Sequence, residues 1–141
     1  MVLLDVNVVV NAMRSDAARH GPVRKYVDTL RKAPEPFGVC DLVLSGALRV
    51  LTHPRVFNPP TPAAQAQAYV AALRASSNAV IIAPGTRHWE IFSALVKQSG
   101  VIGNLVSDAW YAALAIEHGC EWVTDDADFA RFAGLRWRRP E

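Results

Sequence analysis

Apolar and polar positions along this chain follow two periods. Short apolar runs end on acidic or polar turns, and the longer stretches between them repeat their apolar residues at helical spacing. Val2-Leu3-Leu4 is the first such run, ended by Asp5-Val6-Asn7, and reads as a buried strand delivering a polar turn; Val8 to Met13 begins a helix. From Pro22 to Lys32, Val23, Val27 and Leu30 recur among Arg24, Lys25, Asp28 and Arg31, which predicts an amphipathic helix stopped by Pro34 and Pro36. Phe37-Gly38-Val39-Cys40 reads as a second strand with Asp41 at its C-terminal end, and an apolar helical stretch follows from Leu42 to Leu51. The prolines between His53 and Pro62 forbid regular structure, while Thr61 as N-cap and Pro62 at the first helical position announce an alanine-rich helix running to Ala75. Ala79-Val80-Ile81-Ile82-Ala83 is apolar throughout and predicts a strand buried on both faces. Thr86 is placed to cap a helix that Gly100 ends, and Asn104 to cap the next, rich in alanine, which stops at Gly119. Glu121-Trp122-Val123-Thr124 is a fourth strand closed by Asp125-Asp126-Ala127-Asp128, and Leu135-Arg136-Trp137-Arg138 alternates as an exposed edge strand does.

Strands alternating with helices over the whole length imply an α/β fold, a parallel sheet with helices on both faces. At 141 residues the chain suits one domain spanning 1–141. No apolar run approaches the roughly 18 residues of a membrane span. The N-terminus lacks the pattern of a signal peptide, so a cytoplasmic protein without membrane contact is expected. Cys40 and Cys120 have no metal-type spacing and read as buried free thiols. A net charge of +2 gives no global argument for a polyanionic partner. Its distribution is more informative: Arg131, Arg136, Arg138 and Arg139 crowd the C-terminus, and Arg14, Arg19, Arg24 and Lys25 the N-terminal region. Arg136, Arg138 and Arg139, interleaved with Trp137, and Arg14 near the first acid, are candidate contacts to an RNA backbone; for the C-terminal three, edge-strand protection explains the charges equally well.

The candidate chemistry lies in the aspartates. Ligands of an open parallel sheet bind outside the carboxyl ends of its strands, and Asp5, Asp41 and the triplet Asp125, Asp126 and Asp128 all fall at that edge. Asp108 lies in an alanine-rich helix with no lysine or arginine to pair it, an expensive place for a carboxylate unless something compensates its charge. Carboxylates converging without cysteine or histidine make a hard, all-oxygen site that suits Mg²⁺, with Mn²⁺ also possible, and point to metal-assisted phosphodiester hydrolysis. There is no G-x-x-x-x-G-K-[ST] loop, no G-x-G-x-x-G after the first strand and no G-x-S-x-G elbow. Asn7 stands where aspartyl phosphatases of the haloacid dehalogenase type carry their second aspartate, which argues against that class. His20, His53, His88 and His118 are dispersed, with no grouping that suggests catalysis. Trp89, Phe92, Trp110 and Tyr111 fit either a core or a surface for a second copy or a partner.

Several motifs taken in order resemble a known family. They are Asp5-Val6-Asn7, Arg49-Val50-Leu51-Thr52, Gly103-Asn104-Leu105-Val106-Ser107-Asp108-Ala109, Ala112-Ala113-Leu114-Ala115 and Thr124-Asp125-Asp126-Ala127-Asp128-Phe129. Together, over essentially the whole chain, they resemble the PIN-domain ribonucleases and in particular the VapC toxins of bacterial toxin–antitoxin pairs. The resemblance implies a three-layer α/β/α sandwich, a metal-dependent endoribonuclease acting on structured RNA such as transfer RNA, homodimerisation, and inhibition by a VapB-like antitoxin. It makes Asp5, Asp108 and Asp126 the family acids, the first two as metal ligands and the last with Asp125 and Asp128 as alternatives, with Asn7 and Asn104 as polar supports around them. One position departs: many members carry a glutamate three residues before the match to Arg49, and here that residue is Gly46. Either Asp41 supplies the missing charge or the site runs on three acids. The rival expectation is a PIN-like module, weak or inactive as a catalyst, that binds RNA or a protein partner.

Overall fold

The computed structural model describes residues 1–141. Its five strands are β1 (Val2–Leu4), β2 (Phe37–Val39), β3 (Ala79–Ile81), β4 (Glu121–Val123) and β5 (Trp137–Arg138), all parallel, in the spatial order β3-β2-β1-β4-β5. Leu3, at the centre, faces Gly38 on one side and Trp122 on the other. Six helices connect the strands: α1 (Val6–Met13), α2 (His20–Lys32), α3 (Asp41–Leu51), α4 (Ala63–Arg74), α5 (His88–Ser99) and α6 (Asn104–Glu117).

The layers follow from the handedness of these connections. β1 to β2 to β3 steps the sheet in one direction, so right-handed crossovers lay α1 to α4 on one face; the return from β3 to β4 carries α5 and α6 over the other. α1 accordingly packs on α2 and α3, α3 on α4, and α5 on α6. The result is a three-layer α/β/α sandwich. The chain leaves β1 in one direction and β4 in the other, so a topological switch point lies between these two strands, where a crevice opens at the strand ends.

A single cluster of 31 buried hydrophobic residues runs through the sheet and the helices on both its faces. Trp122, on β4, is fully buried, with Tyr111 of α6 stacked on it at 5.5 Å and Phe129 at 5.4 Å. A Cβ at Gly38 would meet Ile82 at 3.0 Å and the Val2 carbonyl oxygen at 3.2 Å, so the neighbours of β2 would have to give by a few tenths of an ångström to admit one. Gly100 closes α5 in the left-handed conformation, as its position predicts.

Two expectations need correction. The apolar run 79–83 is not buried on both faces: Val80 and Ile81 are 40% and 39% exposed, because β3 is an edge strand. Nor do Thr61, Thr86 and Asn104 cap helices with their side chains. The N-cap positions of α4, α5 and α6 are Pro62, Arg87 and Gly103. Glu117, from the far end of α6, satisfies the start of α5 instead, accepting from the amides of Gly85 at 2.7 Å and Arg87 at 2.9 Å.

Candidate functional site

β1 ends at Leu4, and the Asp5 amide continues the ladder by donating to the Val123 carbonyl at 3.0 Å. The next residue begins α1, with Asp5 as its N-cap: Oδ1 accepts from the Val6 amide at 2.6 Å. The other oxygen is fixed from two sides. Thr124, directly after β4 and fully buried, donates its hydroxyl to Asp5 Oδ2 at 2.7 Å, and Asn7 Nδ2 donates to the same oxygen at 3.0 Å. Thr124 Oγ1 also accepts from Asn7 Nδ2 and from the Asp126 amide, each at 3.0 Å, while Asn7 Oδ1 accepts from the Asp125 amide at 3.1 Å. Two central strands are thereby tied at their carboxyl ends around one carboxylate.

Asp5, Asp108 and Asp126 line one crevice of about 550 Å³, together with Asn7, Asn11, Asn104, Gly46, Arg49, Ser107 and Tyr111. Burial pushes the Asp5 carboxyl up to about 6; the Thr124 hydroxyl and the Val6 amide oppose this, and the charges of Asp108 and Asp126 add to it. Asp108 is likewise pushed up to about 6, by burial first and by Asp126 next, with Arg131 easing it. Burial also raises the Tyr111 phenol, to about 12, with Asp5 as the strongest reinforcing charge. The three acids therefore sense one another across the crevice. Asp126 Oδ1 accepts from the Asp128 amide at 2.8 Å, opening the 3₁₀ turn Ala127–Arg131.

The donor set fits a hard divalent cation: it is all oxygen, its negative charges are partly desolvated, and it repels itself. It is not a closed cage, since no three His, Cys, Asp or Glu side chains stand together at metal-holding geometry. Mg²⁺ suits such an open arrangement, because it keeps several of its waters and takes one or two carboxylates.

Other expected residues are placed elsewhere. Asp41, the expected substitute for the glutamate absent at Gly46, is not among the residues that line the crevice. It is the first residue of α3, its side chain is 61% exposed, and Arg74 holds it through bonds of 2.7 and 3.1 Å that draw its pKa down. β2, which leads to Asp41, stands one strand away from the switch point on the β3 side. Gly46 itself lines the crevice, and a Cβ there would meet Val6 Cγ2 at 3.0 Å.

Arg14 is engaged by Asp16 at 2.6 Å and by the Pro59 carbonyl at 3.0 Å, and its guanidinium stacks over Phe57 at 4.2 Å, so it braces the proline loop rather than lining the crevice. Arg136 donates to the Gly119 carbonyl and Arg138 pairs with Glu121, both around the outer edge of β4 and away from the crevice. Asp125 is also withdrawn. Arg19 Nε stands 3.0 Å from its Oδ1 as an ion pair without an aligned hydrogen bond, and Arg139 is 3.7 Å from the same oxygen. Of the histidines, His20, His88 and His118 bind backbone carbonyls and His53 a backbone amide.

Arg49, Ser107, Tyr111 and Asn11 line the crevice without having been singled out as site residues from sequence. A signal was present for most of them. Asn104, Ser107, Asp108 and Tyr111 repeat at i, i+3, i+4 and i+7 on one face of α6, and Arg49 lies one turn after Gly46 on α3.

Comparison with known proteins identifies the family of the chain. Residues 2–135 match the PIN domain. Ribonuclease VapC43 of Mycobacterium tuberculosis is 42% identical over 140 residues, covering 99% of this chain and 95% of its own. Ribonuclease VapC25 of the same organism is 41% identical, with 99% of both chains covered. Among solved structures, VapBC2 of Rickettsia felis, crystallised with a DNA fragment from its promoter, superposes over 100% of both chains with a TM-score of 0.73 at 20% identity. VapC20 of M. tuberculosis, a toxin that cleaves the sarcin–ricin loop, superposes with a TM-score of 0.69 at 18% identity over 96% of this chain and 99% of its own. At those identities the structural likeness speaks for the fold. No helix of the protein is long and apolar enough to cross a membrane.

Proposed function

The chain belongs to the PIN-domain family, with VapC ribonucleases as full-length relatives, and on that premise we propose that it is the ribonuclease toxin of a toxin–antitoxin pair. It cuts phosphodiester bonds of a structured RNA such as transfer RNA, in the cytoplasm, with Mg²⁺ or Mn²⁺ as cofactor. A VapB-like antitoxin restrains it. Trp89 on α5 and Ile102 in the loop between α5 and α6, 72% and 81% exposed, are suited to pairing with a second copy in a homodimer. The observation that carries the reading is the meeting of Asp5, Asp108 and Asp126 in one crevice, with Asp5 and Asp108 both held up near 6, by burial first and by neighbouring carboxylates next.

In this reading Asp5 and Asp108 are the ligands of the cation and Asp126 completes the negative rim. When bound, the cation would supply the charge that attracts the scissile phosphate and acidifies the attacking water. Thr124 and Asn7 keep Asp5 in one orientation, so little has to reorganise on binding. Asp108 makes no hydrogen bond within the protein and is free to take a proton or a ligand. Arg49 offers a guanidinium to the RNA backbone from the facing wall.

The purified protein with Mg²⁺ or Mn²⁺ should cleave transfer RNA, and Asp5→Ala or Asp108→Ala should lower the rate at least a hundredfold. Full activity in both variants would refute the assignment. RNA binding without cleavage at any Mn²⁺ concentration would favour the inactive binding module.

A further inference from the structure

Beside the acidic crevice lies a second cavity of about 360 Å³, and Gly46, Arg49, Ser107 and Tyr111 line both. Besides these residues the second cavity is bounded by Leu42, Ser45, Phe92, Val106 and Trp110. Resting on the nuclease reading above, we propose that this slot receives an unstacked nucleobase of the RNA strand, next to the phosphate held in the acidic crevice.

The two halves of the lining match the two chemistries of a base. Its faces need flat apolar surface, which Phe92 and Trp110 supply. Both rings are held in place by His88, only 4% exposed: its ring lies 6.2 Å from Phe92 at an interplanar angle of 7°, and 4.7 Å from Trp110 edge-on. His88 Nε2 also lies 3.0 Å from the Trp110 carbonyl oxygen, so the spacing between the rings is built into α5 and α6. The edge of a base needs hydrogen-bonding groups. Ser45, Ser107, Arg49 and Tyr111 bring two aliphatic hydroxyls, a guanidinium and a phenol to the slot, and none of these side chains makes a hydrogen bond or ion pair within the protein.

Sequence-selective recognition of RNA rests on splayed bases stacked on aromatic rings and bonded at their edges. A purely apolar peptide side chain would leave those polar groups unmatched. The shared lining adds an argument of place, because a base in the slot and a phosphate in the acidic crevice would be separated only by residues such as Ser107 and Tyr111 that line both.

Two readouts test the slot on the full-length protein. In a ¹H–¹⁵N spectrum with Mg²⁺ present, the Trp110 indole resonance, assigned with Trp110→Phe, should shift with adenosine 5′-monophosphate and not with ribose 5-phosphate. Phe92→Ala, checked for an unchanged melting profile, should lower kcat/KM on RNA about tenfold, mostly through KM, in keeping with the loss of one stacked base. An equal response to both small molecules, or none, overturns the slot, as does a Phe92→Ala protein that cleaves RNA like the parent. If Trp110 is silent to the nucleotide but moves when the antitoxin is added, the occupant is a polypeptide and the proposal fails. Parent protein that cleaves no RNA refutes the underlying nuclease reading, a result distinct from an active parent with a silent slot.

Discussion

Thr124 carries one hydroxyl in a fully buried position, and that hydroxyl donates to Asp5 while accepting from Asn7 and from the Asp126 amide. Thr124→Val keeps the shape and removes all three bonds. It should cost about 1–3 kcal/mol in denaturant unfolding, since buried partners are left unmatched, and should reduce catalysis as Asp5 loses its orientation. The raised carboxyls carry a pH signature of their own. An acid whose folded pKa is about 6 against an ordinary 3.8 binds its proton more tightly in the folded state. The destabilisation is absent below about pH 4, grows as pH rises through the interval, and is complete above about 6. Asp108→Asn should therefore stabilise the metal-free protein at pH 8 by about 1 kcal/mol, a value reduced for its partial exposure, and by nothing at pH 3.5; thermal melts at the two pH values decide. Equal gains at both would contradict the assigned origin of the shift. Divalent cations compete with the same protons, so Mn²⁺ affinity by calorimetry should rise as pH passes through about 6, with proton release.

At the scale of elements, the acid-bearing strand ends were legible because a short apolar run closed by a polar turn is a local pattern. β1 with Asp5 and β4 with its aspartates each fit within a few residues. What sequence could not convey was which strand ends are neighbours. Asp41 follows β2 as Asp5 follows β1, yet the crevice lies between β1 and β4, and Asp41 turns to Arg74 at the end of α4. The exposure of β3 departs from its apolar sequence for a related reason: an apolar run does not say whether its strand is central or at the edge. Capping shows the same limit, since the local candidate Thr86 is passed over for Glu117, far along the chain from the amides it satisfies. Glu117→Gln should lower stability by about 1–2 kcal/mol by weakening two charge-assisted bonds at the start of α5, measured by chemical denaturation at pH 7. No change would mean that α5 does not depend on this cap.

At the scale of the molecule, the fold places everything needed at one switch point: a desolvated acid group, an arginine facing it, and an aromatic slot alongside. The alternation of strands and helices made the α/β class readable, and the ordered motifs pointed to the family. The basic C-terminus proved harder to read, because Arg136 and Arg138 are committed to β4 and its flanks rather than to the crevice. The central claim is that Asp5 and Asp108 form the working pair while Asp41 stands outside it. The most direct measurement compares parent, Asp108→Asn and Asp41→Asn proteins on one transfer RNA substrate with Mn²⁺. The account predicts at least a hundredfold loss for Asp108→Asn and parental cleavage for Asp41→Asn; the reverse pattern, or loss in both, would contradict it.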